Sequence, residues 1–414
     1  MQPRSAGATP GRLELTVIVT LYLAHALPLY FFTVALPAIL RSQGVDLRWI
    51  GMLSLLYIPW AFKFLWAPLI DRYHVKHLGR RKTWLLLTQL ALVGGVLLLA
   101  LSGFEQGLWV FIAISLWIST WAATQDIAID GYTVESLAPS AYRLGSMAQS
   151  IGVGLGSMVG GAGVLWLYQR YGWQPALLCL ALLTALPMLA IRAVQEGART
   201  HDERQRPSVV SSFKRPEMLW AFVLIVVYRL VEAPAMAMLS PLLIDQQWSL
   251  SQIGVLLSVL GALVGLLAAV GAARVLKHRP AERLLLQAGW LRTGLYLLIA
   301  LVLSAGVSYA ASPWFGLLVL ALLAVRYLAM TSLYALFMRL CSPQQAGTDF
   351  TLLVCFELLV YFLGGALSGV LAKGLGYAWF YWLLAGVSIV SVLLSQLIIK
   401  KICHYTLDSN RGAL

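Results

Sequence analysis

Apolar stretches of roughly 20 residues or more, broken only by short polar segments, recur from Leu13 almost to the end of this 414-residue chain. A bilayer's hydrocarbon core is about 30 Å thick and takes about 20 helical residues to cross. Lipid offers no partner to an unpaired backbone amide, so each stretch is expected to fold as a helix that satisfies its own backbone. The period-2 alternation of a membrane barrel is absent. Only 11% of residues are charged against 60% hydrophobic, and mean hydropathy is +0.80. That leaves too few polar side chains to clothe a soluble domain of this size.

Charge, Gly and Pro punctuate the sequence into twelve predicted spans: 13–40, 47–70, 83–103, 108–136, 144–169, 173–193, 217–244, 250–274, 282–305, 312–340, 349–372 and 377–399. Arg4 and Arg12 precede the first run as in a signal peptide, but Leu13 to Leu40 is longer than a cleavable apolar region, so an uncleaved first span is expected. With both termini inside, 22 of the 30 Lys and Arg fall in cytoplasmic segments, 4 in outer ones and 4 within spans. Retention of basic residues in the cytoplasm makes this the expected orientation, in a bacterial inner membrane. The net charge of +13 is then a matter of topology and lipid headgroups, not of nucleic acid. Cys179, Cys341, Cys355 and Cys403 form no CxxC or paired spacing and are expected to be packing residues.

The longest polar stretch, centred on THDERQRP at 200–207, divides the chain almost equally. Pro37 recurs as Pro241, Pro139 as Pro343, Gly160-Gly161 as Gly364-Gly365 and Gly172 as Gly376, all at an offset of 204; Ile50-Gly51 recurs as Ile253-Gly254, one residue short. Shared anchors at one offset predict duplicated halves. The expected fold is therefore an all-α membrane protein: a six-helix bundle over 1–193, a cytoplasmic linker over 194–216, a second six-helix bundle over 217–399 and a cytoplasmic tail over 400–414. Two such bundles provide a mechanism for alternating access. No GxxxxGK[ST] loop is present, so ion-gradient coupling is expected, without a cofactor.

Between spans 2 and 3 runs DRYHVKHLGRRK, with Asp71-Arg72 followed by Gly79-Arg80-Arg81-Lys82. This string resembles the signature loop of the major facilitator superfamily. The resemblance implies that Asp71, Arg72, Gly79, Arg80 and Arg81 form a cytoplasmic gate latching the bundles, as a carboxylate at a helix end beside basic groups would allow. Trp66-Ala67 stands where the family's leading Gly falls, and extra residues precede Gly79, so the latch is expected to differ in detail. The alternative is that these charges only set topology.

Span 4 carries ATQDIAIDGYTVES, which places Asp126 and Asp130 on one helical face with Glu135 near the cytoplasmic end. Buried carboxylates in lipid are costly unless paired, solvated or protonated. The string is similar to the span-4 motif shared by muropeptide permeases of the AmpG type, acetyl-CoA transporters and siderophore permeases of the rhizobactin and pyochelin systems. AmpG-type permeases are usually longer, and a compact twelve-span chain suits the siderophore branch, closest to the pyochelin permeases. The resemblance implies a monomeric, proton-coupled importer whose cargo is a ferric siderophore such as ferric pyochelin, with a muropeptide as the alternative cargo.

Asp126 and Asp130 correspond at the repeat offset to Met330 and Tyr334, so the acidic pair is not part of a shared scaffold. It serves either proton coupling or ion pairing with Lys63. Glu232 and Glu357 are the other candidates for coupling, and Arg229 and Glu232 at i and i+3 could equally satisfy each other. Arg326 has no carboxylate on its own span and is the leading candidate for an anionic substrate group, followed by Lys63 and Arg292. Tyr22 and His25 share a face of span 1, and His25 is either a titrating group or a helix-to-helix partner. Trp60, Trp121 and Tyr228 could line an aromatic cavity suited to a phenolic ligand. A different class, a membrane prenyltransferase, shares the DxxxD spacing for magnesium-diphosphate but requires a second Asp-rich motif, which no other span offers.

Overall fold

The protein is described from a computed structural model, which describes residues 11–43, 56–75, 77–102, 107–194, 196, 207–248, 252–253, 255–306 and 313–411. Among these residues eleven helices are long and apolar enough to cross a membrane. They correspond to eleven of the twelve expected spans, whose ordinal numbers are kept below. The second span, expected over 47–70, lies outside the described residues up to position 55. Its remainder folds as three short helices, Ile58–Phe62, Lys63–Leu65 and Ala67–Arg72. Pro59 and Pro68 each sit at the start of a piece, where a missing N–H costs nothing. Also outside the described residues are the linker positions 195 and 197–206 and the repeat anchors Ile50, Gly51 and Gly254.

The helices divide into two compact units. The first holds residues 1–209 with 341–355, and the second 210–340 with 356–414. Residues 341–355 belong to the second half of the sequence yet fold with the first.

In the first unit, span 1 (Arg12–Ala35) lies against span 5 (Pro139–Tyr171), and each carries a π-helical turn, Phe31–Ala35 and Ser157–Gly163. Gly160 is what lets them touch, since a Cβ there would fall on the backbone carbonyl of Leu27. The second unit repeats the device, with Gly364 of span 11 against Ala233 and Pro234 of span 7 (Pro216–Asp245). Small residues at such crossings replace the hydrophobic drive that lipid removes with close packing. A second matched pair breaks the helices: Gly172 (φ 82°) separates spans 5 and 6, and Gly376 (φ 75°) interrupts the run Ala346–Arg411 between spans 11 and 12. Both positions sit in backbone space that an L side chain avoids.

Each unit buries an aliphatic and aromatic interior. Phe31, Leu92, Leu99 and Phe111 join one cluster of the first unit, Ile18, Leu85, Ile127 and Ile129 another, and Leu242, Phe315, Tyr296 and Phe380 belong to that of the second. Large apolar side chains such as Leu101, Leu182, Leu267 and Val370 face outward, as the bilayer solvent requires. Trp109 and Trp314 open spans 4 and 10 and are almost fully exposed, in the position of interfacial anchors.

Candidate functional site

Three buried charge clusters stand out, two in the first unit and one in the second. The first joins spans 1, 2 and 4. Asp126 forms an ion pair with Lys63, and its other oxygen lies 3.3 Å from His25 Nε2. One turn along span 4, Asp130 Oδ1 accepts a 2.7 Å hydrogen bond from the Tyr22 hydroxyl, while Oδ2 has no hydrogen-bond partner among the described residues. The i, i+4 spacing thus does present both carboxyls to span 1. They differ in their partners: Asp126 has a cation and Asp130 a phenol. Trp60 closes one side, its ring 5.6 Å from that of His25 and 5.3 Å from Lys63 Nζ. The break in span 2 between Phe62 and Lys63 is what turns the lysine inward from a helix otherwise half facing outward.

The second cluster lies where span 2 ends and span 3 (Arg80–Ser102) begins. Arg81 is fully buried and bridges Asp71 Oδ1 and Glu135 Oε1, both at 2.6 Å. Arg80 pairs with Glu135 and donates to the carbonyls of Asp71 and Gln344 at 3.3 and 3.2 Å. Asp71 Oδ2 accepts from the backbone N–H and the hydroxyl of Thr348 at 2.7 and 2.6 Å. Glu196 accepts from the backbone N–H groups of Arg80 and Lys82 at 2.7 and 2.6 Å, which caps the orphan donors at the start of span 3. Gly131 of the span-4 motif is required here, because a Cβ would collide with the Arg81 guanidinium.

In the second unit, Arg229 reaches Glu232 Oε1 at 2.5 Å and Glu357 Oε1 at 2.6 Å. Arg326 Nε lies 3.2 Å from the same Glu232 oxygen. Both guanidinium groups sit over the Tyr361 ring, at 5.4 and 5.5 Å from its centroid. The side chain of Arg229 is 4% exposed and that of Arg326 is 26% exposed, so only Arg326 keeps an open side. Arg292 lies over Tyr228 at 4.4 Å and donates to the Tyr228 carbonyl, Ser388 Oγ and Ser391 Oγ at 2.9, 3.2 and 3.5 Å. A small pocket touches Tyr228, Glu232, Arg292 and Arg326.

Several expectations are changed by these placements. Arg72 lies outside the gate cluster, exposed and stacked on Tyr73 at 5.1 Å, because the helix ending at Arg72 turns Asp71 inward. Gly79 (φ 93°) lies against the Glu196 side chain, which an added Cβ would strike. Lys63 is not an open cation, being spent on Asp126. Arg326 does have a carboxylate neighbour, supplied by span 7 and not by its own span. Trp121 packs beside Trp117, centroids 5.6 Å apart, and against the same hydrophobic cluster as Trp60. Tyr228 instead lies under Arg292 and donates to the Leu285 carbonyl. Glu196, Thr348 and Tyr361 are participants that the sequence reading did not place, and Glu135, placed there only as an acid near the end of span 4, joins the Arg80 and Arg81 cluster. Glu196 carried a faint signal as an acid in a basic segment; Thr348 carried none.

The sequence profile of the Major Facilitator Superfamily matches residues 18–348. The chain belongs to the Major Facilitator Superfamily. This superfamily member is similar to the anhydromuropeptide permease of Escherichia coli K12, with 28% identity over 424 aligned residues that span 99% of this chain and 82% of the relative. It is also similar to putative transporter AmpG 3 of Rickettsia prowazekii, 23% identical over 92% of this chain and 94% of that one. The crystal structure of the Major Facilitator Superfamily transporter FucP superposes with TM-score 0.71 at 12% identity, covering 93% of this chain and 98% of FucP, a likeness of fold alone. The chain is therefore a multi-pass membrane transporter and not an enzyme of the prenyltransferase kind. Asp126 agrees with that, since a carboxylate held by lysine and histidine is not open to a magnesium-diphosphate. The siderophore branch expected from the compact length is not represented among the relatives named here, an anhydromuropeptide permease and a putative AmpG transporter.

Proposed function

We propose that this superfamily member is a proton-coupled permease that carries a muropeptide, an anhydro-sugar bearing a peptide, into the cytoplasm. The cargo rests on one observation, the resemblance to the anhydromuropeptide permease along 99% of this chain. Ferric siderophore, a cargo that the span-4 resemblance also admits, has no counterpart among the relatives named above and ranks second.

Charge balance supports the coupling. In the first unit one lysine faces two carboxyls, so with His25 neutral the group reaches neutrality by binding one proton. Asp130, with a free oxygen and no cation of its own, is the proposed proton carrier, and Asp126 is held as the counter-ion of Lys63. Glu232 and Glu357 are each held by Arg229, which assigns them to charge compensation before coupling. In the second unit Arg229 and Arg326 meet Glu232 and Glu357 while Arg292 is held by neutral groups, so three guanidinium groups stand against two carboxylates and one positive charge is left for an anionic substrate group. Arg326 is the proposed contact, since Arg292 is caged by serines and Arg229 by two glutamates. Asp71, Arg80, Arg81, Glu135 and Thr348 are proposed to form the cytoplasmic gate, with both termini on that side.

Counterflow in proteoliposomes, with labelled anhydromuropeptide and labelled ferric siderophore run side by side, tests the cargo. Exchange of the muropeptide is expected. Exchange of the siderophore without the muropeptide would reverse the assignment.

A further inference from the structure

The polar stretch that divides the sequence is described at its two ends, at Glu196 and at Pro207–Val209, and both ends belong to the first unit. At the first end Glu196 accepts from the backbone N–H groups of Arg80 and Lys82, 116 and 114 positions earlier in the chain. A helix start offers unpaired donors and the positive end of a dipole, so a carboxylate brought from elsewhere makes a fitting cap. Gly79 leaves the space for it, since an added Cβ would come within 2.8 Å of that carboxylate.

At the second end the Ser208 N–H donates to Gln345 Oε1 at 3.0 Å, and Gln345 Nε2 donates to the Ser208 carbonyl at 3.4 Å. On the linker side both groups are backbone. Gln345 is buried, and its amide also donates to Asp349 Oδ1 at 2.7 Å, while Asp349 Oδ2 accepts from the Ser342 N–H at 2.8 Å. These bonds fix the segment 342–349 that opens span 11. The same segment meets the gate cluster, for the Gln344 carbonyl accepts from Arg80 Nη1 at 3.2 Å and Thr348 holds Asp71.

Arg80 is therefore held twice, its backbone N–H by Glu196 and its guanidinium by Gln344. The Gln344 carbonyl shares one planar peptide with the Gln345 N–H, so a shift of Gln345 carries that carbonyl with it.

We propose that the linker between the halves is fastened into the gate at both ends, with Glu196 and Gln345 as positioning residues that together set Arg80, so that release of either end loosens the other through that arginine. The role rests on the reading of this cluster as the gate, whereas the fastening does not.

Hydrogen–deuterium exchange of the purified full-length protein, read over peptides covering 78–84 and 342–350, tests the inference. Gln345→Leu is expected to raise exchange about threefold to tenfold at the start of span 3, where no residue has been changed, and Glu196→Ala to raise it by a similar factor over 342–350. Ser208→Ala keeps both backbone groups and is expected to exchange as the wild type does. Gln345→Asn, one methylene shorter, is the milder variant should Gln345→Leu not fold, with the same pattern expected. A response confined to each variant's own segment overturns the proposal. A reciprocal response with muropeptide counterflow still at the wild-type rate would leave the fastening standing and remove the cluster from the gate role.

Discussion

Tyr22 donates its phenolic hydrogen to Asp130 at 2.7 Å, one helical turn from the place where Lys63 claims Asp126. Two acids that look equivalent in the sequence thus occupy different electrostatic positions. Asp130→Asn is expected to abolish proton-driven accumulation while leaving counterflow, which needs no net proton movement. Uptake into vesicles with and without an imposed proton gradient checks this, and gradient-driven accumulation at the wild-type level would remove Asp130 from the coupling role.

Asp126 is expected to behave differently, as a structural counter-ion. Asp126→Ala leaves Lys63 buried without its ion-pair partner, at a cost of about 3–5 kcal/mol. Replacing both, as Lys63→Met with Asp126→Leu, is expected to recover much of that stability without recovering transport. Thermal unfolding of the purified variants provides the comparison; equal stability of the single and double variants would contradict it.

Arg326 and Arg292 separate binding from architecture. Arg326→Lys keeps the charge but loses the planar fork, and with charged hydrogen bonds contributing about 1.5–3 kcal/mol, KM is expected to rise tenfold or more with Tm little changed. Arg292→Leu removes donors to two serines and a carbonyl and is expected to lower Tm first. Substrate kinetics alongside melting curves distinguish them. The assignment reverses if Arg326→Lys melts early and Arg292→Leu changes only KM.

At the gate, Glu196 holds the backbone that aims Arg80 and Arg81, and Thr348 holds Asp71. Thr348→Val and Glu196→Ala are each expected to loosen the cluster and to raise the labelling rate of a cysteine placed at Gln344, whose carbonyl Arg80 binds. Arg72→Ala, outside the cluster, is the control and is expected to label as the wild type does.

Glycine contacts offer a test of the fold. A methyl group at Gly160 would strike the Leu27 carbonyl, and overpacking of this kind costs about 1–3 kcal/mol. Gly160→Ala is expected to lower Tm, whereas Gly94→Ala, with open space around its Cβ position, is expected to leave it unchanged.

The apolar spans were legible in the sequence because they follow from local composition, and lipid accepts only helices. Gly172 and Gly376 were matched there at an offset of 204, and both adopt the positive φ that breaks a helix. The spacing of Asp126 and Asp130 likewise foretold that they share a face. Which acid Lys63 would choose was not legible, because that depends on a break in span 2 that turns the lysine inward.

The sequence by itself determined that this chain is an all-helical, multi-span membrane protein, since solvent and periodicity act residue by residue. Only the tertiary structure decided how the charges are shared. Glu232 serves two arginines, Arg292 is satisfied by serines 96 and 99 residues away, and Thr348 meets Asp71 across 277 positions. A buried charge takes whatever partner packing brings within reach, and no spacing along the chain encodes that choice.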